Sequence, residues 1–173
     1  MKNIVLIGMS GVGKTTIGKA LSIVLDKKFV DTDSIIEDKL GISINDIFAM
    51  YGEDYFRKLE SEIISELHEE ENLIISTGGG IVLNNNNIVM LREKGILILL
   101  ESSVESIVNN IKDDITVRPL LNNGEDIYKK VEVMYNNRRK LYISSADFVV
   151  FVDGKSIDEI IYEILRRCVK IKS

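Results

Sequence analysis

Short apolar runs alternate with longer stretches of helical period along this chain. The runs are NIVLIG (3–8), KFVD (28–31), NLIIS (72–76), GILILL (95–100) and DFVVFV (147–152). Each is rich in Ile, Leu or Val with few polar breaks, the pattern of strands covered on both faces. Between them, apolar positions recur at helical spacing over roughly residues 14–25, 53–68, 103–112, 126–141 and 156–169. Ser102-x-x-Glu105 and Ser156-x-x-Glu159 read as capping boxes opening two of these helices. SIIEDKL, after FVDTD, reads as a further short helix, and NNNN at 84–87 as a surface turn. Strand alternating with helix, with no internal repeat and no linker, predicts an α/β fold. The expectation is one domain over residues 1–173, with a five-stranded parallel sheet between helices in three layers. In such sheets ligands lie beyond the carboxyl ends of the strands, so the chemistry is expected in the loops there.

Composition narrows the partners. The chain has 173 residues, a net charge of -5 and a pI of about 5.1. That argues against a nucleic-acid or membrane surface while leaving room for a small cationic pocket. No apolar stretch is long enough to span a bilayer. The opening run stops at Gly8, too short for a secretory h-region, and no small-residue cleavage site follows. Cys168 is the single cysteine, so no internal disulfide is expected. These features predict a cytoplasmic, single-domain protein; a monomer is the expectation.

The first loop at the predicted strand ends is GMSGVGKTT. Gly8, Gly13, Lys14 and Thr15 fit G-x-x-x-x-G-K-[ST], directly after a strand and at the opening of a helix. Glycines let successive N–H groups turn toward phosphate oxygens, and the helix N-terminus adds its positive end. Lys14 is then placed to reach β- and γ-phosphates and Thr15 to ligate Mg²⁺. Many such proteins hold the metal with an Asp ending a second strand, but LIIS leads into Thr77 and glycine. The available acids are Asp31 and Asp33, flanking Thr32. If the chain stays extended they point the same way, one serving the metal and one accepting a proton from an alcohol. The plainer alternative is a turn in which Asp33 caps the following helix.

Three features remain. Gly78-Gly79-Gly80 follows a strand and implies that something approaches the backbone closely. Arg57, Arg118 and the pair Arg138-Arg139 supply guanidinium forks suited to carboxylate or phosphate. The stretch 112–126, which carries Arg118 beside Pro119, reads as a lid. His68 and Cys168 read as a surface residue and a packing thiol, and Phe48 and Phe56 as an apolar wall.

Taken in order, GMSGVGKTT, DTDSIIE, IFAMYGEDYFRKLE, STGGG, VRPLL and RRKLY resemble the shikimate kinase family, from residue 4 to about 165. The resemblance implies a nucleoside-monophosphate-kinase-like P-loop fold with a substrate region near 32–61 and the lid at 112–126. It implies transfer of the γ-phosphoryl group of MgATP to the 3-hydroxyl of shikimate. Carried over by motif, ATP would meet Gly11, Val12, Gly13, Lys14, Thr15, Thr16, Arg118 and Lys155. Mg²⁺ would be held by Thr15 and, through water, by Asp31. Shikimate would meet Asp33, Arg57, Gly78, Gly79, Gly80 and Arg138. Lys14, Asp33 and Arg118 would be catalytic. Arg138 is preferred to Arg139 because it stands four residues before Tyr142. Two departures stand out: Ile111 and Lys112 where the family offers an adenine-packing Arg, and VDGKSI where it offers Arg and Pro. Gluconate kinase, or a nucleotide-phosphorylating relative on the same fold, is the competing activity. A GTPase switch lacks support, since no N-K-x-D motif is present.

Overall fold

The computed structural model describes residues 2–113 and 126–171. In chain order the elements are β1 (Asn3–Ile7), α1 (Lys14–Leu25), β2 (Lys28–Asp31), α2 (Thr32–Leu40), α3 (Ile44–His68) and β3 (Leu73–Ser76). A 3₁₀ turn (Ile81–Leu83), α4 (Asn85–Lys94), β4 (Gly95–Glu101), α5 (Val104–Asp113), α6 (Ile127–Ser145), β5 (Phe148–Phe151) and α7 (Ile157–Ile171) follow. All strand pairs are parallel, in the order β2-β3-β1-β4-β5.

The alternation of side chains along a strand explains the three layers. Val5, Ile7, Leu73, Ile75, Leu97 and Leu99 belong to a core on one sheet face, with α2, α3, α4, α5 and α6. Ile4, Leu6, Ile74, Ile96, Ile98 and Leu100 belong to a second core on the other face, against α1 and α7. Both faces are buried, so the strands tolerate almost no polar position. Register aligns Asp31 with Ser76, Leu6 with Ser76 and Ile7 with Leu99, which brings the carboxyl ends of four strands to one edge.

Local chemistry departs from the sequence reading at several places. After Asp31 the chain does not stay extended: Asp31 ends β2 and caps α2, accepting from the N–H groups of Asp33 and Ser34. Asp33 is therefore in the first turn and is not the cap. The helix expected from residue 53 is preceded by about two further turns capped by Ser43, joined across a kink at Gly52 (φ 82°). The four asparagines open α4, with the Asn84 side chain accepting from Asn86 N–H. Of the two capping boxes, Ser156–Glu159 is reciprocal, at 2.8 and 3.3 Å. The other is shifted by one residue: Ser103 Oγ accepts from Ser106 N–H, and Asp153 holds Ser102 and Ser103 N–H in place of Glu105. Cys168 is a buried free thiol packed in the second core. No helix among the described residues is long and apolar enough to cross a membrane.

Candidate active site

The loop from Gly8 to Gly13 curls between β1 and α1 through backbone conformations that suit glycine. Gly8, Gly11 and Gly13 lie at φ 141°, 83° and 97°. Gly13 caps α1 without a side-chain acceptor, so the N–H groups of the first turn are open toward the loop. Lys14 is buried and donates to the carbonyls of Gly8 and Met9, both at 2.8 Å. Burial lowers its pKa to about 8, with Asp33 and Asp31 pulling it up. A buried ammonium held by two carbonyls at the N-terminus of a helix suits an anion. Thr15 Oγ1 donates to Asp31 Oδ2 at 2.7 Å, so an hydroxyl and a carboxylate sit together at the helix mouth. That oxygen pair suits a hard cation, and the surrounding N–H groups suit its phosphate.

Across from this loop, the three consecutive glycines each make room for a different neighbour. A Cβ on Gly78 would lie 2.7 Å from Asp33 Oδ1 and 3.1 Å from Glu60 Oε1. On Gly79 it would lie 2.7 Å from Ser10 Oγ, and on Gly80 2.2 Å from the Arg57 guanidinium. None of the three has a positive φ. The loop is pinned by Gly78 N–H donating to Thr32 Oγ1 and by Thr77 donating to the Leu6 carbonyl. The Gly79 carbonyl accepts from Tyr142 OH and from Arg138 Nη1. The Gly79 and Gly80 N–H groups have no acceptor among the described residues.

Around this floor the charges are arranged in pairs. Arg57 uses Nη1 on Glu60 Oε2 (3.0 Å) and its Nε and Nη2 on Glu53 Oε1 (3.2 and 3.0 Å). Its guanidinium also lies over the Phe56 ring, which stacks on Phe48 with centroids 4.7 Å apart. Glu60 is fully buried, and burial holds its pKa up against the pull of Arg57. Burial raises the Asp33 carboxyl to about 6, helped by Asp31 and opposed by Lys14, with Glu60 and Glu37 adding to the rise. Asp33 Oδ1 and Glu60 Oε1 are buried without a hydrogen-bond partner among the described residues. A buried carboxylate oxygen facing a bare glycine invites a hydroxyl. Burial pushes Tyr142 to about 12, so its hydroxyl stays a donor.

The structure thus brings Lys14, Thr15, Asp31, Asp33, Arg57, Gly78, Gly79, Gly80 and Arg138 to one edge of the sheet. Arg139 points elsewhere, to Glu101 at 2.8 Å, which separates it from its neighbour. Lys155 is not gathered with them: its ammonium pairs with Glu163 of α7 at 2.7 Å. Arg118 and residues 114–125 of the expected lid lie outside the described residues. Ile111 packs against the outside of the phosphate loop, where a Cβ on Gly11 would meet its Cγ1 at 2.8 Å. Glu60 and Tyr142 were missed as site residues. Glu60 stands three residues after Arg57, the spacing of a helical ion pair.

Comparison with known proteins gives matches along nearly the whole chain. A family model described as shikimate kinase matches residues 10–169. A shikimate kinase from Caldanaerobacter subterraneus is 42% identical, with 99% of each chain covered. A shikimate kinase from Alkaliphilus oremlandii is 40% identical, covering 95% of this chain and 98% of the relative. Among solved structures, shikimate kinase from Acinetobacter baumannii in complex with shikimate superposes with a TM-score of 0.92 at 32% identity, covering 99% of this chain and 95% of its own. A gluconokinase from Sinorhizobium meliloti, at 16% identity and a TM-score of 0.57, shares the fold alone. The chain belongs to the shikimate kinase family, ATP-dependent phosphotransferases that act on an alcohol group.

Proposed function

We propose that this chain transfers the γ-phosphoryl group of ATP to the 3-hydroxyl of shikimate. The observation that carries the reading is the pairing of an unpartnered, buried Asp33 oxygen with a glycine floor and two guanidiniums, opposite a phosphate loop. Shikimate offers a carboxylate, ring hydroxyls and an apolar edge. Its carboxylate suits Arg57 and Arg138, whose forks grip planar anions. Glu53 already places a carboxylate oxygen on the Nε and Nη2 of Arg57, the contact that the substrate's carboxylate would take over. Glu60 holds the other side of that guanidinium, so the fork is oriented before substrate arrives.

Asp33, ionised above pH about 6, accepts the proton of the reacting hydroxyl. The oxygen then bonds to the γ-phosphorus as the bond to the bridging oxygen breaks, and ADP carries off that pair of electrons. Lys14 leaves its two carbonyls for the phosphates, joined by the N–H groups of Gly11, Val12, Gly13, Thr15 and Thr16. Mg²⁺, held by Thr15 and through water by Asp31, would neutralise charge on the phosphate oxygens. Gly79 and Gly80 N–H groups are free to meet the ring. Arg118 is proposed as a further phosphate contact, and Lys155 would first have to leave Glu163.

A coupled ADP-release assay with shikimate, gluconate and nucleoside monophosphates tests the reading. Turnover with shikimate at least a hundredfold above the other acceptors is expected. Faster turnover with gluconate or a nucleotide would overturn it.

A further inference from the structure

We propose that Glu101 is a positioning residue, a buried carboxylate whose grip on Tyr135 and Arg139 sets the rotation of α6 and so aims Arg138 and Tyr142 at Gly79. The inference rests on the assignment of Arg138 to the substrate carboxylate made above.

Glu101 is the last residue of β4 and the single polar position in a strand buried throughout. It is 5% exposed. A carboxylate there is costly unless it is well paired. Its partners both come from α6: Tyr135 OH at 2.5 Å and Arg139 Nε at 2.8 Å, on the same oxygen. Arg139 Nε also meets Tyr135 OH at 3.1 Å, which closes a three-membered network. Tyr135 and Arg139 are four residues apart and therefore share one face of the helix. Arg138 and Tyr142 are also four apart and both reach the Gly79 carbonyl. At about 100° per residue the two faces lie roughly 60° from each other around α6. Fixing one face fixes the other.

A polar tie at the end of α6 does not set rotation. Arg92 of α4 donates to the Ser145 carbonyl at 2.7 Å, at the helix C-terminus. A bond to a terminal carbonyl anchors the end but lets the helix turn about its axis. Glu101 acts at mid-helix through side chains, where rotation is felt. A small cavity lies beside this three-membered network, lined by Met9, Val12, Ile107 and Tyr142 among others.

The test is the double variant Glu101→Leu/Arg139→Met. It replaces both charges by apolar groups of similar size, leaves no buried charge unpaired, and should fold with a Tm no lower than wild type. The expected result is a rise of at least tenfold in KM for shikimate, with KM for ATP within twofold. Arg139→Lys, which keeps a charged donor, should stay within threefold on both. Hydrogen exchange of the α6 amides in the ligand-free double variant should speed up at least tenfold. A KM for shikimate within twofold of wild type, or an equal rise in both KM values, overturns the proposal. Unchanged exchange in α6 overturns it independently of any substrate. Wild-type enzyme inert toward shikimate would strike the functional reading alone, and the exchange rates would still decide the clamp.

Discussion

The phosphate loop and the loop after β3 face each other across the site, and both are built on glycine. In the first, Gly13 sits at φ 97° with only ordinary contact around it, Ile17 Cδ1 at 3.7 Å. In the second, Gly80 sits at φ -98°, a conformation open to any residue, yet a Cβ would strike the Arg57 guanidinium. Gly13 is required by its own dihedral, a local demand. Gly80 is required by a side chain from α3, a demand made by tertiary structure. The first loop shapes a nest of N–H groups; the second clears a floor for charged side chains to meet.

The largest effect falls on the acid that Gly78 admits. Asp33→Asn should lower kcat by about 10²–10⁴-fold, measured by coupled ADP release. The same change should stabilise the free protein at pH 7.5. The Asp33 pKa is raised from 3.8 to about 6, so the folded state holds a proton that the unfolded chain gives up. That stabilisation is complete below pH about 3.8 and is lost as pH rises through about 6, leaving an unfavourable charge that Asn lacks. A gain on the order of 1–3 kcal/mol in chemical denaturation is expected at pH 7.5, vanishing near pH 4. In wild type, kcat/KM should fall as pH drops through about 6.

Next comes Arg57. Arg57→Ala leaves Glu60 buried and unpaired and should cost about 3–5 kcal/mol of stability. Adding Glu60→Gln should restore most of the Tm while KM for shikimate stays raised roughly 10–100-fold, since each charged hydrogen bond lost costs about 1.5–3 kcal/mol. Recovery of both together would make the pair purely structural.

The glycine comparison itself is tested by two matched variants. Gly13→Ala should lose about 1–2 kcal/mol of stability to left-handed strain and weaken ATP binding. Gly80→Ala should push the Arg57 guanidinium off Glu60, lowering the Tm and raising KM for shikimate about tenfold, about 1.4 kcal/mol, with ATP binding little changed. If the two variants gave the same profile, the distinction between local and tertiary demand would be lost. The smallest effect is expected at Lys155→Met. Breaking a surface pair with Glu163 should change stability by less than about 1 kcal/mol and KM for ATP by less than about threefold.

This contrast also explains what could be read from sequence. Continuous apolar strands and helical periods are local records of two-sided burial, so the sheet and most helices were legible. So was the phosphate loop, whose glycines all take positive φ and whose Gly13 answers to its own dihedral alone. The triple glycine was visible as an anomaly, and the family resemblance set Asp33 and Arg57 beside it; Ser10 and Glu60, which also reach it from other elements, left no such signal. One cap failed because a distant group took over, Asp153 replacing Glu105 at α5; at α2 the helix simply begins two residues earlier, so Asp31 caps it in place of Asp33. The choice between Arg138 and Arg139 rested on spacing to Tyr142, and the structure gives that spacing a reason, since both residues meet at the Gly79 carbonyl.

The most direct test is a crystal structure with shikimate and ADP bound together. The account predicts the ring on Gly79, its carboxylate between Arg57 and Arg138, and a hydroxyl within hydrogen-bond distance of Asp33 Oδ1. A ring bound away from Gly79, with Asp33 Oδ1 still unpartnered, would contradict it.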